Sequence, residues 1–220
     1  ITAPVKDTPT AGIPGATVLM GVNEDKLSTC QITSNASCTT NAASPLITIL
    51  HENLGVQKAL LNTIHGYTAS QSLVDAPDKK DFRRSRAGAQ NIIPSTTGAA
   101  TAVTQVITEL TDKFDGVATR VPVVTGSLVD ITFIAARKTS VEEVNNILRQ
   151  AAANPRWHNI FTITEEPLVS ADIIGDIHGS IADLNLTKVV AGDLVKVMAW
   201  YDNEMGYAHT LVEHVIKTSR

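Results

Sequence analysis

The sequence predicts an α+β fold: a mixed, largely antiparallel sheet with helices mainly on one face. Strand-like runs outnumber helix-like ones along the 220 residues. They do not alternate one for one with helices, as a doubly wound parallel sheet would require. Several are separated only by short, turn-rich stretches, the pattern of hairpin-linked strands. Neither an internal repeat nor a low-complexity tract interrupts this organisation.

Taken in order, Ile1 to Pro4 reads as the tail of a strand and Thr8 to Gly15, rich in Pro, Gly and Thr, as a loop. Ala16 to Val22 is a strand candidate, turned by Asn23-Glu24-Asp25-Lys26, and Gln31-Ile32-Thr33 reads as a strand end. A mostly apolar helix is expected from Cys38 to about Asn53, with Asn35 and Ser37 as capping types before it and Gly55 as its stop. Val56 to Ile64 reads as a strand that ends at His65-Gly66-Tyr67-Thr68. Residues 69–97 carry Asp75, Asp78, Lys79, Lys80, Asp81, Arg83, Arg84 and Arg86 with little apolar periodicity, a long loop of the kind that is functional or sits at an interface. Asn91-Ile92-Ile93-Pro94 draws its end back toward a core, and Gly98 to Leu110 reads as a helix. Phe114 to Val121 and Val129 to Ala136 read as two strands in a hairpin-like pair joined by Pro122 to Ser127. Ser140 to Ala153 is a helix opened by a capping box, Ser140 with Glu143. Phe161 to Ile163, Ala171 to Ile177, Lys188 to Ala191 and Leu194 to Trp200 are further strand candidates, and Asn203 to Ile216 is an amphipathic helix.

Composition narrows the function classes. A hydrophobic content of 43% with a net charge of −4 describes a globular chain with a sizeable core and no electrostatic reason to bind nucleic acid or an anionic membrane. No apolar run is long enough to span a bilayer. The start, Ile1-Thr2-Ala3-Pro4-Val5-Lys6, has neither an initiator Met nor the make-up of a signal peptide, so a longer protein is expected around it. Two cysteines, Cys30 and Cys38, make no disulfide framework, which points to a reducing, cytoplasmic setting. Cys and His spacing suggests no zinc site, and no metal is expected.

The chemistry-bearing stretch is Ser34-Asn35-Ala36-Ser37-Cys38-Thr39-Thr40-Asn41. Unpaired N–H groups and the positive end of a helix dipole favour a thiolate over a thiol, and a thiolate attacks carbonyls. A lone Cys is also commonly a small buried hydrophobe, and this stretch alone leaves both readings open. Among the candidate bases, His51 lies turns away along the same helix, His209 and His214 fall on the terminal helix, and His158 and His178 have no polar constellation around them. His65 ends a strand before Gly66, Tyr67 and Thr68 and is the best partner for Cys38. Anion recognition is a second theme. Thr39, Thr97 and Gly98 fall at expected helix starts, where N–H groups bind phosphate, and Arg84 and Arg120 offer planar forks for its oxygens. A solvated Arg84 and a plain helix cap at Thr97-Gly98 are the simpler alternatives.

Six motifs in order then carry a family resemblance. They are Ser-Asn-Ala-Ser-Cys-Thr-Thr-Asn at 34–41, His-Gly-Tyr-Thr at 65–68, Asp-Phe-Arg-Arg-Ser-Arg at 81–86, Asn-Ile-Ile-Pro-Ser-Thr-Thr-Gly-Ala-Ala at 91–100, Arg-Val-Pro at 120–122 and Trp-Tyr-Asp-Asn-Glu-Met-Gly-Tyr at 200–207. Through most of its length the chain resembles the catalytic, C-terminal domain of phosphorylating glyceraldehyde-3-phosphate dehydrogenases. The resemblance implies oxidation of glyceraldehyde 3-phosphate with inorganic phosphate to 1,3-bisphosphoglycerate. It makes Cys38 the nucleophile of a thiohemiacetal and thioester, and His65 the group that raises the thiolate fraction and acts as general acid and base. It places Thr68 and Arg120 at the substrate phosphate, and Ser37, Thr39, Arg84, Thr97 and Gly98 around the attacking phosphate and the thiol. Asn203 and Tyr207 would contact the nicotinamide of NAD, with NADP left open, and Thr2 would touch the cofactor from the strand joining two domains. The loop at about 67–89 would line a neighbouring subunit's cofactor site in a homotetramer.

Departures from the family pattern shape these expectations. The family's Gly-x-Gly-x-x-Gly phosphate loop and acidic ribose ligand do not occur in this sequence. The resemblance therefore implies three parts: residues 1–33 leading out of a nucleotide-binding domain absent from this sequence, a catalytic domain at 34–202, and a helix at 203–220 that would pack on that other domain. NAD would be held mainly by the absent N-terminal domain, leaving this chain on its own inactive in hydride transfer. Thr125-Gly126-Ser127 is a variant turn, Met205 replaces a usual Trp, and Ala42 replaces a frequent second Cys. An erythrose-4-phosphate-type aldehyde dehydrogenase and a non-catalytic scaffold domain are the competing readings.

Overall fold

The computed structural model describes residues 1–5, 12–78 and 81–218. The first half of the expected first loop, Thr8 to Ala11, together with Lys79 and Lys80 of the charged loop, lies outside the described residues.

An eight-stranded mixed sheet organises the chain. A small parallel pair, β1 (Gly15–Thr17) and β2 (Ile32–Ser34), precedes it. The sheet itself comprises β3 (Val56–Gly66), β4 (Ile93–Thr96), β5 (Phe114–Val121), β6 (Ser127–Ala135), β7 (Phe161–Thr164), β8 (Ser180–Asp183), β9 (Lys188–Val190) and β10 (Leu194–Tyr201). Its order is β4-β5-β3-β6-β10-β8-β7, with β9 pairing β10. Only β3/β5 and β7/β8 run parallel within it. Four α-helices accompany the sheet: α1 (Cys38–Leu54), α2 (Ala99–Val106), α3 (Val141–Ala152) and α4 (Met205–Thr218). The predicted α+β class holds.

Helix α1 is the centre of the core. Ser37 caps it by accepting from the Thr40 N–H, and Gly55, at φ 67°, ends it in the left-handed region that suits glycine. Leu46, Ile47 and Leu50 have no exposed surface, and each such burial contributes about 1.5–3 kcal/mol. Pro45 lies inside the helix without ending it. Packing against α2, α3 and the β6, β8 and β10 strands outweighs the single backbone bond it removes. The capping Ser140 of α3 accepts from the Glu143 N–H, while the Glu143 carboxylate turns to Arg137 and to the Thr139 hydroxyl.

Four local expectations are corrected. β5 and β6 are not a hairpin: β3 lies between them, parallel to β5 and antiparallel to β6. Short linkers favour hairpins, but Pro122 to Gly126 crosses over the end of β3, where the Tyr67 N–H donates to the Val123 carbonyl at 3.1 Å. Gly66 permits this crossing, since a Cβ there would meet that carbonyl oxygen at 2.8 Å. Ala171 to Ile177 forms turns, not a strand. Asp172 accepts from the Val169 N–H, Asp176 from the His178 N–H, and Gly175 takes φ 87°, so local side-chain bonds win over pairing. The Ala16–Val22 strand stops at Thr17, because the Asn23 side chain captures the Thr17 carbonyl and the Leu19 N–H. The helix expected to Leu110 gives way after Val106 to a short 3₁₀ turn at Thr108–Leu110.

Candidate active site

The chemistry assembles on one row of the sheet. Strand register aligns Tyr201 of β10 with Ser127 of β6, Ser127 with His65 of β3, His65 with Arg120 of β5, and Arg120 with Ile93 of β4. In-register neighbours point to the same face, so Tyr201, Ser127, His65 and Arg120 form a polar row on the face covered by α1. The start of α1 stands over it. Cys38 Sγ lies 3.4 Å from His65 Nε2, a contact across 27 residues of chain.

The turn that delivers Cys38 is held by its own polar groups. Ala36 takes φ 56°, a left-handed conformation costly for a residue with a Cβ. The Ser34 hydroxyl accepts from the Ala36 N–H at 3.0 Å, and Asn41 Nδ2 donates to the carbonyls of Asn35 and Ser37 at 2.8 and 3.0 Å. Ser34, Ser37 and Asn41 thus satisfy the backbone, while the Cys38 sulfur and the Thr39 hydroxyl turn to the row.

Electrostatics at the site oppose one another. Burial pushes the Cys38 thiol up, while the Thr39 N–H and hydroxyl and the Arg120 charge pull it down without fully compensating. Burial, reinforced by Arg120, lowers His65 to about 4. At neutral pH His65 is therefore a neutral imidazole, and Arg120 supplies the positive charge that favours a thiolate. His65 Nδ1 lies 2.6 Å from both the Arg120 guanidinium and the Gly66 carbonyl, and Arg120 also donates to that carbonyl at 3.1 Å.

The other expected residues fall at varying distance from this row. Ser37 caps α1, and Thr39 is buried with its hydroxyl 2.9 Å from the Tyr201 hydroxyl. Thr68 follows the end of β3, with its hydroxyl 2.9 Å from that of Ser70 and its N–H donating to Gln71 Oε1. Arg84 pairs with Asp81 at 3.5 Å and acts electrostatically on Arg120. Thr97 and Gly98 open α2. The Thr97 hydroxyl accepts from the Ala99 N–H at 3.1 Å, and the space above Gly98 is open. They follow Thr96, which pairs with Val117 three positions along β5 from Arg120, about 10 Å in strand length. Asn203 Oδ1 accepts from the Gly126 N–H and the Ser127 hydroxyl at 3.0 and 3.1 Å, so the variant turn orients this side chain. The Tyr207 hydroxyl donates to the Ala36 carbonyl at 3.3 Å. Thr2 is exposed between Ile1 and Ala3, whose carbonyls accept from Asn35 N–H and the Ser34 hydroxyl.

Three of the remaining histidines have other partners: His51 Nδ1 accepts from the Val56 N–H, His178 pairs with Asp176, and His214 bonds Thr33. Among the described residues, no cluster of His, Cys, Asp and Glu fits a metal ion. Sequence analysis passed over Tyr201 and Thr63, whose hydroxyls meet at 2.7 Å beneath the thiol. Only strand register reveals them; the preceding Trp200 and following Asp202 carry no signal of it.

Comparison with known proteins places the chain in a family. A family model described as glyceraldehyde 3-phosphate dehydrogenase, C-terminal domain, matches residues 37–203. The chain is 46% identical over 216 residues to a glyceraldehyde-3-phosphate dehydrogenase of Mycobacterium leprae, covering 98% of this chain and 61% of that protein. The corresponding figures for a Streptomyces coelicolor protein of that name are 45% over 215 residues, 97% and 62%. For one from Mycolicibacterium smegmatis they are 47% over 200 residues, 90% and 58%. The chain therefore spans about three fifths of the length of these relatives. By the extent of the family match and by these identities, the chain belongs to the family of glyceraldehyde 3-phosphate dehydrogenase C-terminal domains.

Proposed function

We propose that this chain is the catalytic part of a phosphorylating glyceraldehyde-3-phosphate dehydrogenase, oxidising glyceraldehyde 3-phosphate with inorganic phosphate to 1,3-bisphosphoglycerate. The observation that carries the reading is the 3.4 Å approach of Cys38 Sγ to His65 Nε2 at the start of α1, with Arg120 on the same row. Sulfur adds to the aldehyde carbon as its proton passes to Nε2. The imidazolium so formed returns that proton to the developing alkoxide, giving a thiohemiacetal. His65 then takes the hydroxyl proton as the C–H bond gives up its hydride, leaving a thioester on Cys38. A phosphate oxygen attacks the thioester carbonyl, the C–S bond breaks, and Cys38 leaves with the acyl phosphate released.

Thr68 and Arg120 bind the substrate phosphate in this scheme, and Ser37, Thr39, Arg84, Thr97 and Gly98 serve the attacking phosphate. An anion that draws Arg120 away leaves the Gly66 carbonyl as the partner of Nδ1–H. That tautomer turns the Nε2 lone pair toward sulfur. NAD, or NADP, supplies the hydride acceptor when bound. The fit to this chain is partial and specific: donors from Thr125, Gly126 and Ser127 occupy Asn203 Oδ1 and so leave its amide N–H₂ for a carboxamide oxygen, with Tyr207 and Thr2 assigned to the same cofactor. The phosphate and ribose contacts belong to a separate nucleotide-binding domain, out of which residues 1–33 lead and against which α4 would pack. The same reading carries a homotetramer in the cytoplasm.

Labelling with iodoacetamide near neutral pH tests the nucleophile in the full-length protein. Cys38 should react far faster than Cys30, and His65→Ala should slow it. Equal, slow labelling of both thiols supports a non-catalytic scaffold instead. Turnover must also depend on phosphate, and equal or faster phosphate-independent oxidation of erythrose 4-phosphate would assign the chain to the four-carbon sibling.

A further inference from the structure

We propose that Tyr201 is a positioning residue for Cys38, its buried hydroxyl tying the strand of His65 to the residue after Cys38 and so holding sulfur against the imidazole. The proposal rests on the reading of Cys38 as the nucleophile and adds a group that this reading did not use.

Tyr201 is 1% exposed, and its hydroxyl lies 2.9 Å from Thr39 Oγ1 and 2.7 Å from Thr63 Oγ1. Both threonines are buried, at 5% and 1% exposure. The other inward residues of β10, Val195, Val197 and Ala199, are apolar, so a phenylalanine would fill the same core position. The hydroxyl is the departure that needs a reason. The Tyr201 ring also meets His65 edge-on, with centroids 5.9 Å apart and planes at 73°.

The arrangement is a clamp across the site. Thr63 lies two residues before His65 on β3, and Thr39 follows Cys38 at the start of α1. The Tyr201 hydroxyl meets both, so strand and helix start are fixed where Cys38 Sγ stands 3.4 Å from His65 Nε2. Burial pushes the Tyr201 phenol up, so it keeps its proton and remains a donor over the working pH range. Without that donor, the Thr39 hydroxyl is free to turn to the backbone of α1, as threonines in helices commonly do.

The deciding experiment measures iodoacetamide alkylation of Cys38 against pH in full-length wild-type and Tyr201→Phe protein, with Cys30 as internal reference. The variant should move the Cys38 midpoint upward and slow its alkylation at neutral pH about fivefold, leaving the Cys30 profile unchanged. A folding role alone would lower the thermal midpoint without moving the alkylation midpoint. An unchanged Cys38 midpoint in folded Tyr201→Phe overturns the proposal. If that variant does not fold, Thr63→Val, which removes only the β3 end of the clamp, decides by the same midpoint. Wild-type Cys38 no more reactive than Cys30 would sink the nucleophile and this proposal together, a result distinct from a reactive wild-type thiol indifferent to Tyr201.

Discussion

The two faces of the central sheet are made by the same strands and differ in almost everything else. On the helix-covered face, Val129, Ile131 and Phe133 of β6 and Leu61 of β3 are at most 2% exposed, and the polar row of Tyr201, Ser127, His65 and Arg120 ends the layer. On the open face, Leu60 is 67% and Val117 56% exposed, and Lys196 pairs with Asp130 at 2.6 Å. A groove of about 890 Å³ lies on the open side, lined by Lys58, Leu60, Thr132 and Leu194 among others, and neither Cys38 nor His65 borders it. Size of cavity therefore does not locate the chemistry here. A nucleophile needs unpaired N–H groups and a helix dipole aimed at it, and only the covered face receives a helix start.

Substitutions break this contrast in order of expected effect. On the covered face, Ile131→Ala should cost about 3–4 kcal/mol in urea unfolding, because α1 and the flanking strands hold the cavity open. A loss below about 1 kcal/mol would mean that the layer is not packed as described. The row itself should show in the pH dependence of stability. His65 lies at about 4 in the folded chain against 6.5 ordinarily. Between these values the unfolded chain binds a proton that the folded chain does not, so stability is full above pH 6.5 and falls toward pH 4, by about 3 kcal/mol. His65→Asn should flatten that limb, and an equally steep one would assign it to other groups. On the open face, Leu60→Ala should change the stability of the chain by no more than about 0.5 kcal/mol. Sedimentation of Leu60→Asp in the full-length protein sharpens the point: loss of the oligomer would show that a second copy covers this face, and an unchanged oligomer that none does.

How much of this was legible without coordinates follows from the range of each interaction. The start and stop of α1, the strand ending at His65 and the capped α3 depend on residues within a turn of one another, and sequence reasoning found each. The assignment of Cys38 to a helix start came from Ser37 and the apolar run behind it. The strand at Ser180–Asp183 was missed because all four residues are buried and show no alternation. The supposed hairpin of β5 and β6 failed because chain proximity says nothing of a third strand inserted between the two. Tyr201 was passed over because its partners, Thr39 and Thr63, lie 162 and 138 residues away.

The amino-acid sequence by itself determined the residue types and their local settings: a thiol at a helix start, an imidazole and a guanidinium at strand ends, and glycines where the backbone turns. Those depend on capping, periodicity and φ preference, which act over a few residues. The tertiary structure alone decided that β3 joins between β5 and β6, which places His65 beside Arg120 and beneath Cys38. It also turned an apolar-looking strand position, Tyr201, into the hydroxyl that joins both halves of the site. Register between strands far apart in the chain is selected by the packing of the whole sheet under α1, and no short stretch of sequence contains that information.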